Sequence, residues 1–441
     1  MLYALGVLGF AIGLLASIAL HEVGHMVPAK KFGVKVTQYM VGFGPTLWSR
    51  KRGDTEYGVK AIPLGGYIRM IGMVPPRADG SRSHWPRRMA TAIEDFRQVS
   101  RAEVEPGDEE REFYRLTPGK KMIVMLGGPS MNLLIYLVLM LVLLGTIGIK
   151  KGDAETRVDS VTQCVVAANS KDAQQNICPK NAVAAPAFGK IQPGDKFVAV
   201  DGVAITSWDQ LVSIVEKSAN VPLHITVDRS GVQHTLTITP VKNVKYVNDT
   251  STKTKVAGYL GIGPVVHTYY DTLSITEMPG QIGSQIRDGL DALGSYPEKI
   301  GSLWDTVFHG KARDPQGAIG VVGIGRLGGD LADSKSLDLT DKIASLVGLL
   351  AGVNLLLFLF NLLPLLPLDG GHVAGALVEA AKRGRARLRA RRQGVRGTRP
   401  QIFVDTAQML PVMYAVASVL IVLTLLTVYA DIVKPVDITG G

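Results

Sequence analysis

Four long apolar stretches constrain what this chain can fold into more than any other feature. They cover residues 1–33, 122–149, 343–371 and 409–433. An α-helix needs about 20 apolar residues to cross a bilayer, and each stretch reaches that length. The mean hydropathy of +0.20 agrees with this pattern. The sequence therefore predicts a polytopic α-helical membrane protein with about four transmembrane helices.

The distribution of charge predicts the orientation of these helices. Nine basic residues and no acidic residue lie within 382–399, between the third and fourth stretches. The positive-inside rule places such a loop in the cytoplasm, and a plain solvated basic linker would be equally exposed. Because the net charge of +10 is concentrated in particular loops, we expect the lipid bilayer as a partner and no nucleic acid. By alternation, 75–121 and 372–408 are cytoplasmic and both chain ends face outward.

The segment 34–74 alternates apolar and polar residues between glycines, which predicts a membrane-associated β-hairpin region. An exposed sheet edge near Gly65 and Gly66 would position an extended substrate by strand pairing. The charged loop 75–121 follows. Within it, Trp85–Val104 has the pattern of an amphipathic helix, which suits either a membrane surface or plain solvent.

The region between the second and third membrane stretches is predicted to be extracytoplasmic. Residues 150–184 form a linker that holds the only cysteines, Cys164 and Cys178, which can close one disulfide loop outside the reducing cytosol. Residues 185–241 have the strand and helix pattern of a compact α/β domain. Residues 242–342 form a mixed extracytoplasmic or interfacial segment.

The candidate metal-binding and catalytic residues lie at the end of the first stretch, in the motif His21-Glu22-Val23-Gly24-His25. Two histidines four positions apart lie on one helical face, where both imidazoles can reach one metal ion. The glutamate beside them can take a proton from a water molecule. A lone buried histidine is usually structural, but this combination in an otherwise uncharged span indicates a zinc site.

A third ligand is predicted in the segment Asn361–His372, where two prolines interrupt the helix and an aspartate, Asp369, appears. Broken backbone at membrane depth is tolerated only where protein buries it or where it lines a wet cavity. Asp369 and His21 both fall near the cytoplasmic ends of their spans, so we expect one shared zinc ion per chain. Asn361 lies eight positions before Asp369, and its amide would bind substrate or bridge two helices.

These motifs together resemble the site-2 proteases, zinc intramembrane metalloproteases, and most closely the bacterial branch that cleaves anti-sigma factors. The residues that carry the resemblance are His21–His25, Pro63–Tyr67, Gly127–Asn132 and Asn361–Gly371. The resemblance implies zinc held by His21, His25 and Asp369, with Glu22 as the catalytic base. It also implies a single PDZ-like domain at 185–241 and a location in the cell inner or plasma membrane, with the active site near the cytoplasmic side.

The expected activity is zinc-dependent endopeptidase cleavage within or near the transmembrane segment of single-span membrane proteins. Anti-sigma factors already trimmed outside the membrane are the expected substrates. Two alternatives belong to other classes, namely a zinc-binding membrane transporter and a non-catalytic PDZ scaffold. Glu22 at the water-activating position argues against the transporter, and the intact set of ligands and base argues against the scaffold.

Overall fold

The computed structural model describes residues 1–77, 85–167, 178–179, 182–246, 254–311, 313–314, 317–393 and 402–435. The chain forms two compact units. The first is built from Met1–Ile147 and Leu273–Thr439, and the second is Gly148–Thr272.

The secondary structure alternates between long helices and groups of strands. The helices are α1 (Leu2–Lys31), α2 (Arg87–Ala102), α3 (Pro118–Val142), α4 (Trp208–Lys217), α5 (Met278–Gly294), α6 (Tyr296–Phe308), α7 (Val321–Asp333), α8 (Leu339–Asn361), α9 (Asp369–Arg392) and α10 (Leu410–Val433). The strands are β1 (Val36–Arg52), β2 (Thr55–Met70), β3 (Ile149–Val161), β4 (Lys196–Val200), β5 (Val203–Ala204), β6 (Leu223–Arg229), β7 (Val232–Ile238), β8 (Val241–Tyr246), β9 (Thr254–Tyr259) and β10 (Ile262–Asp271).

Four helical segments among the described residues are long and apolar enough to cross a membrane. They are Leu2–Lys31, Pro118–Ile147, Leu339–Asn361 and Thr406–Val433. The third ends at Asn361, whereas the apolar stretch in the sequence continues to 371. The two prolines that follow Asn361 account for this difference, because a proline removes a helical hydrogen bond and clashes with the preceding turn.

Helices α1 and α3 approach each other through glycines. A Cβ atom on Gly24 would overlap the carbonyl of Gly127, and a Cβ on Gly127 would overlap the carbonyl of Gly24. Small residues allow backbones to pack closely where no hydrophobic force drives helices together in lipid. Glycine at both positions therefore permits the close approach of α1 and α3.

Strands β1 and β2 fold over on themselves and make a four-segment sheet. Val36–Val41 pairs on one side with Gly66–Met70 and on the other with Glu56–Val59. Thr46–Arg52 then pairs with Thr55–Lys60. The bends occur at glycines with positive φ, including Gly65 at +105°. Among the described pairings, Gly66–Met70 forms one outer edge of this sheet.

A buried ion pair fixes α9 against the start of α3. Lys121 donates to Glu379 Oε2 at 2.8 Å, and Arg383 contacts the other carboxylate oxygen at 2.7 Å. The Glu379 side chain is only 2% exposed, so the loss of both cations would leave a buried charge unpaired, and the loss of Lys121 would remove the link to α3. Because Asp369 begins the same helix, this pair also sets the position of Asp369.

The second unit is a twisted sheet with strand order β10-β3-β4-β6-β7, with β5 paired to β4 and α4 packed on the apolar face. It extends beyond 185–241 because β3 and β10, which come from the flanking segments, join the sheet. The helix and hairpin expected within 185–241 are confirmed, with the β6–β7 turn at Ser230 and Gly231. Cys164 and Cys178 are joined by a disulfide.

Candidate metal centre

The two histidines of α1 point the same way. Their Nε2 atoms are 3.2 Å apart, as expected for side chains one helical turn apart. His25 is buried, with 5% of its surface exposed, and His21 is partly buried. The helix continues to Lys31, so the pair sits within a regular helix and not at a frayed end.

Asp369 reaches the same point from the other end of the chain. After α8 ends, seven residues containing Pro364 and Pro367 turn the backbone, and Asp369 becomes the first residue of α9. Its Oδ2 atom lies 3.4 Å from Nε2 of His21 and 3.4 Å from Nε2 of His25. The predicted meeting of these three side chains is therefore present in the structure.

The spacing of the three donor atoms fits a zinc ion. Ligand atoms about 2.0–2.1 Å from a tetrahedral centre are separated from one another by about 3.3–3.4 Å. The observed separations of 3.2, 3.4 and 3.4 Å match this value closely. Within the described part of the chain, no other group of three or more histidine, cysteine or acidic side chains has such spacing. Three protein donors also leave a fourth position open, as in catalytic zinc sites.

Both imidazoles are oriented through their other ring nitrogen. His25 Nδ1 lies 2.8 Å from the carbonyl of Val124 and donates to it, which leaves Nε2 without a proton and facing Asp369. His21 Nδ1 lies 3.1 Å from the side-chain amide of Asn132 on α3. The sequence gives no indication that the partner of Asn132 is His21.

The protonation of His21 determines which atom of the Asn132 amide faces it. Asn132 is 1% exposed, and its Oδ1 has no hydrogen-bond partner when Nδ2 faces His21. If Nε2 of His21 binds a metal ion, Nδ1 carries the proton and requires an acceptor. A half-turn of the amide presents Oδ1 to Nδ1 and pairs the buried oxygen. The metal-bound form therefore requires Oδ1 of Asn132, and not Nδ2, to face His21.

Gly128 on α3 leaves the space that the imidazoles occupy. A Cβ atom there would overlap Nε2 of His25 and would lie 2.7 Å from Nε2 of His21. The close approach of α3 to α1 therefore depends on glycine at this position as well as at Gly24 and Gly127. The only sequence feature that indicates this close packing at Gly128 is the run of small residues before Asn132.

Glu22 lies beside the outer edge of the β-sheet. A Cβ atom on Gly66 would be 3.2 Å from Cγ of Glu22. The hydroxyl of Tyr39 donates to the carbonyl of Ala19 at 2.9 Å and holds the sheet against α1. The edge Gly66–Met70 and the acidic side chain therefore share one location.

The remaining predicted site residues stand apart from these contacts. Gly65 packs beside Phe43, where its positive φ allows β2 to bend, and it does not contact Glu22 closely. Asn361 is partly buried at the last turn of α8. Its side chain makes no hydrogen bond that we find among the described residues, so its role stays a prediction.

We expect Gly128→Ala to weaken metal binding at this centre by at least about tenfold, because the added methyl group displaces an imidazole. Metal content per chain, measured after dialysis against a graded series of chelator concentrations, tests this. Gly119→Ala is the matched control, because nothing lies within 4 Å of that position on the same helix. Wild-type metal retention by the Gly128 variant would contradict the assignment of this space to the imidazoles.

Comparison with known proteins agrees with the geometry. A family model described as peptidase family M50 matches residues 9–398. Zinc metalloprotease Rip1 of Mycobacterium tuberculosis is 34% identical over 456 residues, which covers 99% of each chain. Rip1 of Mycolicibacterium smegmatis is 31% identical over 449 residues, covering 99% of this chain and 100% of the relative. Zinc metalloprotease RasP of Geobacillus kaustophilus is 24% identical over 435 residues, covering 85% and 90%. The chain therefore belongs to peptidase family M50, the site-2 protease family, as a multi-pass membrane zinc metalloprotease.

Proposed function

We propose that this protease cleaves single-span membrane proteins within or next to their transmembrane segment. In this proposal His21, His25 and Asp369 hold one zinc ion and Glu22 is the catalytic base. The observation that carries it is the triangle of donor atoms at zinc spacing, placed beside a carboxylate in a span of 30 residues. An ion-binding group in a transporter would not need a sheet edge next to that carboxylate.

The depth of the site follows from α1. His25 lies five residues before Lys30, which corresponds to about 8 Å of helix. Lys30 and Lys31 suit the cytoplasmic headgroup region, so we infer that the site lies inside the membrane near its cytoplasmic face. Water can reach this depth more readily than the bilayer centre, and hydrolysis consumes one water molecule per bond.

The chemistry divides between the cofactor and the protein. Zinc at this centre supplies a Lewis acid that polarises the scissile carbonyl and makes water more acidic. Glu22 accepts a proton from the attacking water and delivers it to the nitrogen of the departing amine. Val124 and Asn132 keep the imidazoles in the tautomer that presents Nε2 to the ion.

We expect Glu22→Gln to keep about one zinc ion per chain while proteolysis falls by about 10²- to 10⁴-fold. Glutamine retains the size of the side chain and its hydrogen bonding, but it cannot accept the proton. Asp369→Ala is the complementary variant, and we expect it to lose both zinc and activity. Zinc content and cleavage of a single-span substrate in the same preparation separate the two outcomes. A Glu22→Gln enzyme with wild-type turnover would exclude this residue as the base.

Substrate delivery is the next requirement. A transmembrane helix hides its peptide bonds in its own hydrogen bonds, so the segment must unwind before attack. We propose that the unwound segment pairs with the edge Gly66–Met70, whose neighbour Glu22 would then face the scissile bond. Val59 pairs on both sides and cannot take this role. We further propose that the amide of Asn361, at the end of the helix that precedes Asp369, contacts the substrate backbone.

Strand pairing predicts an alternating dependence on the substrate backbone. We expect N-methylation of successive residues around the cleavage site to lower kcat/KM by about tenfold at every second position, the equivalent of one hydrogen bond. The intervening positions serve as matched controls, because their N–H groups point away from the edge. Cleavage of a series of membrane-inserted synthetic substrates measures this. Equal losses at all positions, or none, would contradict pairing with the edge.

The second unit supplies selectivity in our proposal. We place this PDZ-like unit outside the cytoplasm, where it would exclude proteins with bulky external parts and admit those already trimmed. Anti-sigma factors are the substrates that the family resemblance suggests. Support comes from its compact sheet, which begins and ends at paired residues, Ile149 opposite Asp271. A folded body joined to the membrane part by two adjacent strands is well suited to such a filter.

We expect removal of this unit to abolish discrimination by substrate size. Replacing residues 150–270 with a short glycine-serine linker bridges two positions that already lie opposite each other. Cleavage of a matched pair of substrates, with and without a folded external domain, gives the readout. The trimmed substrate is the internal control and should be cut at the wild-type rate. A deletion variant that still rejects the untrimmed substrate would refute the filter.

A further inference from the structure

Helix α2 has an exposed apolar stripe that no part of the proposed reaction uses. Met89, Phe96 and Val99 are 45%, 37% and 60% exposed, and Ala92 is exposed between them. Spacings of three, four and three residues place all four on one face. Scattered exposed apolar residues are ordinary on a protein surface, but a continuous stripe along a helix is typical of an interfacial segment.

A neighbouring face of α2 packs against, and is hydrogen-bonded to, the beginning of the last candidate span. Arg97 is 2% exposed and donates to both carboxylate oxygens of Asp405, at 2.9 and 3.1 Å. Ile93 packs in one cluster with Ala407 and Leu410. The indole of Trp85, just before the helix, donates to the carbonyl of Gln408 at 2.9 Å. These contacts fix the position of α2 along the membrane normal.

The length of the last candidate span indicates the depth in the membrane at which α2 is held. Thr406–Val433 holds 28 residues, which corresponds to about 42 Å of helix. A bilayer measures about 40–45 Å including both headgroup layers. The residues that hold α2 therefore lie at headgroup level, and a tryptophan among them is typical of this zone.

The charges of α2 suit an anionic lipid surface. The helix carries four arginines and two acidic residues, and the exposed Arg88 flanks the apolar stripe. Cytoplasmic leaflets are rich in anionic lipids, which attract basic residues near the surface. Of the two environments that the sequence allows for this helix, the contacts at its other face favour the membrane surface.

We propose that α2 lies on the cytoplasmic face of the bilayer, with Met89, Ala92, Phe96 and Val99 buried at the boundary between headgroups and acyl chains. This inference rests on the membrane spans and their orientation and is independent of the catalytic roles proposed above. It has a consequence for the active site, because Glu103 just after α2 pairs with Arg69 at 2.5 Å. Arg69 belongs to the edge Gly66–Met70, so a lipid-bound helix is tied directly to the segment beside Glu22.

Spin labels on α2 test this placement. Phe96→Cys and Val99→Cys carry the label on the stripe, and Thr91→Cys and Gln98→Cys carry it on an exposed polar face of the same helix. The native cysteines are bonded to each other and leave the introduced thiol as the reactive one. Each labelled protein is placed, one copy per disc, in nanodiscs of phosphatidylcholine with about one-third phosphatidylglycerol. Wild-type zinc content confirms that a labelled variant is folded.

We expect positions 96 and 99 to be relaxed several-fold more by oxygen, which concentrates in lipid, than by a water-soluble nickel chelate. Positions 91 and 98 should show the reverse preference. Equal exposure of all four positions to the nickel chelate would place α2 in water and overturn the proposal. Protection of 96 and 99 from both reagents would show that protein covers the stripe and would overturn it as well. If the stripe is normally covered by a second copy of the protein, positions 96 and 99 would be exposed to the nickel chelate here, because each disc holds only one copy.

Discussion

The contact between α1 and α3 is the constraint on which the metal centre depends. Both helices carry glycine where they meet, and a side chain on either would collide with backbone or with an imidazole. In lipid there is little hydrophobic gain from bringing two apolar helices together, so close packing and polar contacts must supply the attraction. The same approach that packs the helices also brings Val124 and Asn132 within hydrogen-bonding distance of the two histidines. The packing of α1 against α3 thus also determines the orientation of the two histidine side chains.

Several polar side chains inside the membrane part are paired with a partner on another helix. Asn354 donates to Ser17 at 3.0 Å, one turn before His21, and Lys121 pairs with Glu379 near the start of α3. Unpaired groups at such depth cost several kcal/mol, roughly as much as the whole net stability of a small domain. Each of these pairs links two helices that carry or adjoin a metal donor. The polar contacts therefore specify the bundle that assembles the site.

The local sequence pattern was sufficient to predict the apolar spans, the histidine pair and the meeting of Asp369 with these histidines. These features depend on length, on helical periodicity and on the chemistry of a few side chains. The contact between Asn132 and His21 was not predictable, because it depends on the rotation of one helix against another. The sheet was also only half predicted, since Val36–Val41 pairs with two separate parts of β2. The boundaries of the second unit depend on pairing between β3 and β10, which lie far apart in sequence and have no local signal.

The origin of the donors from opposite ends of the chain has a consequence for biosynthesis. His21 and His25 enter the membrane first, but Asp369 follows only after the helix Leu339–Asn361 and the turn behind it have been made. With Asp369 as the third zinc ligand, as proposed above, the centre has only two of its three donors until this residue has been made. The complete donor set therefore forms only after 369 of the 441 residues have been synthesised, when three of the four candidate spans already exist.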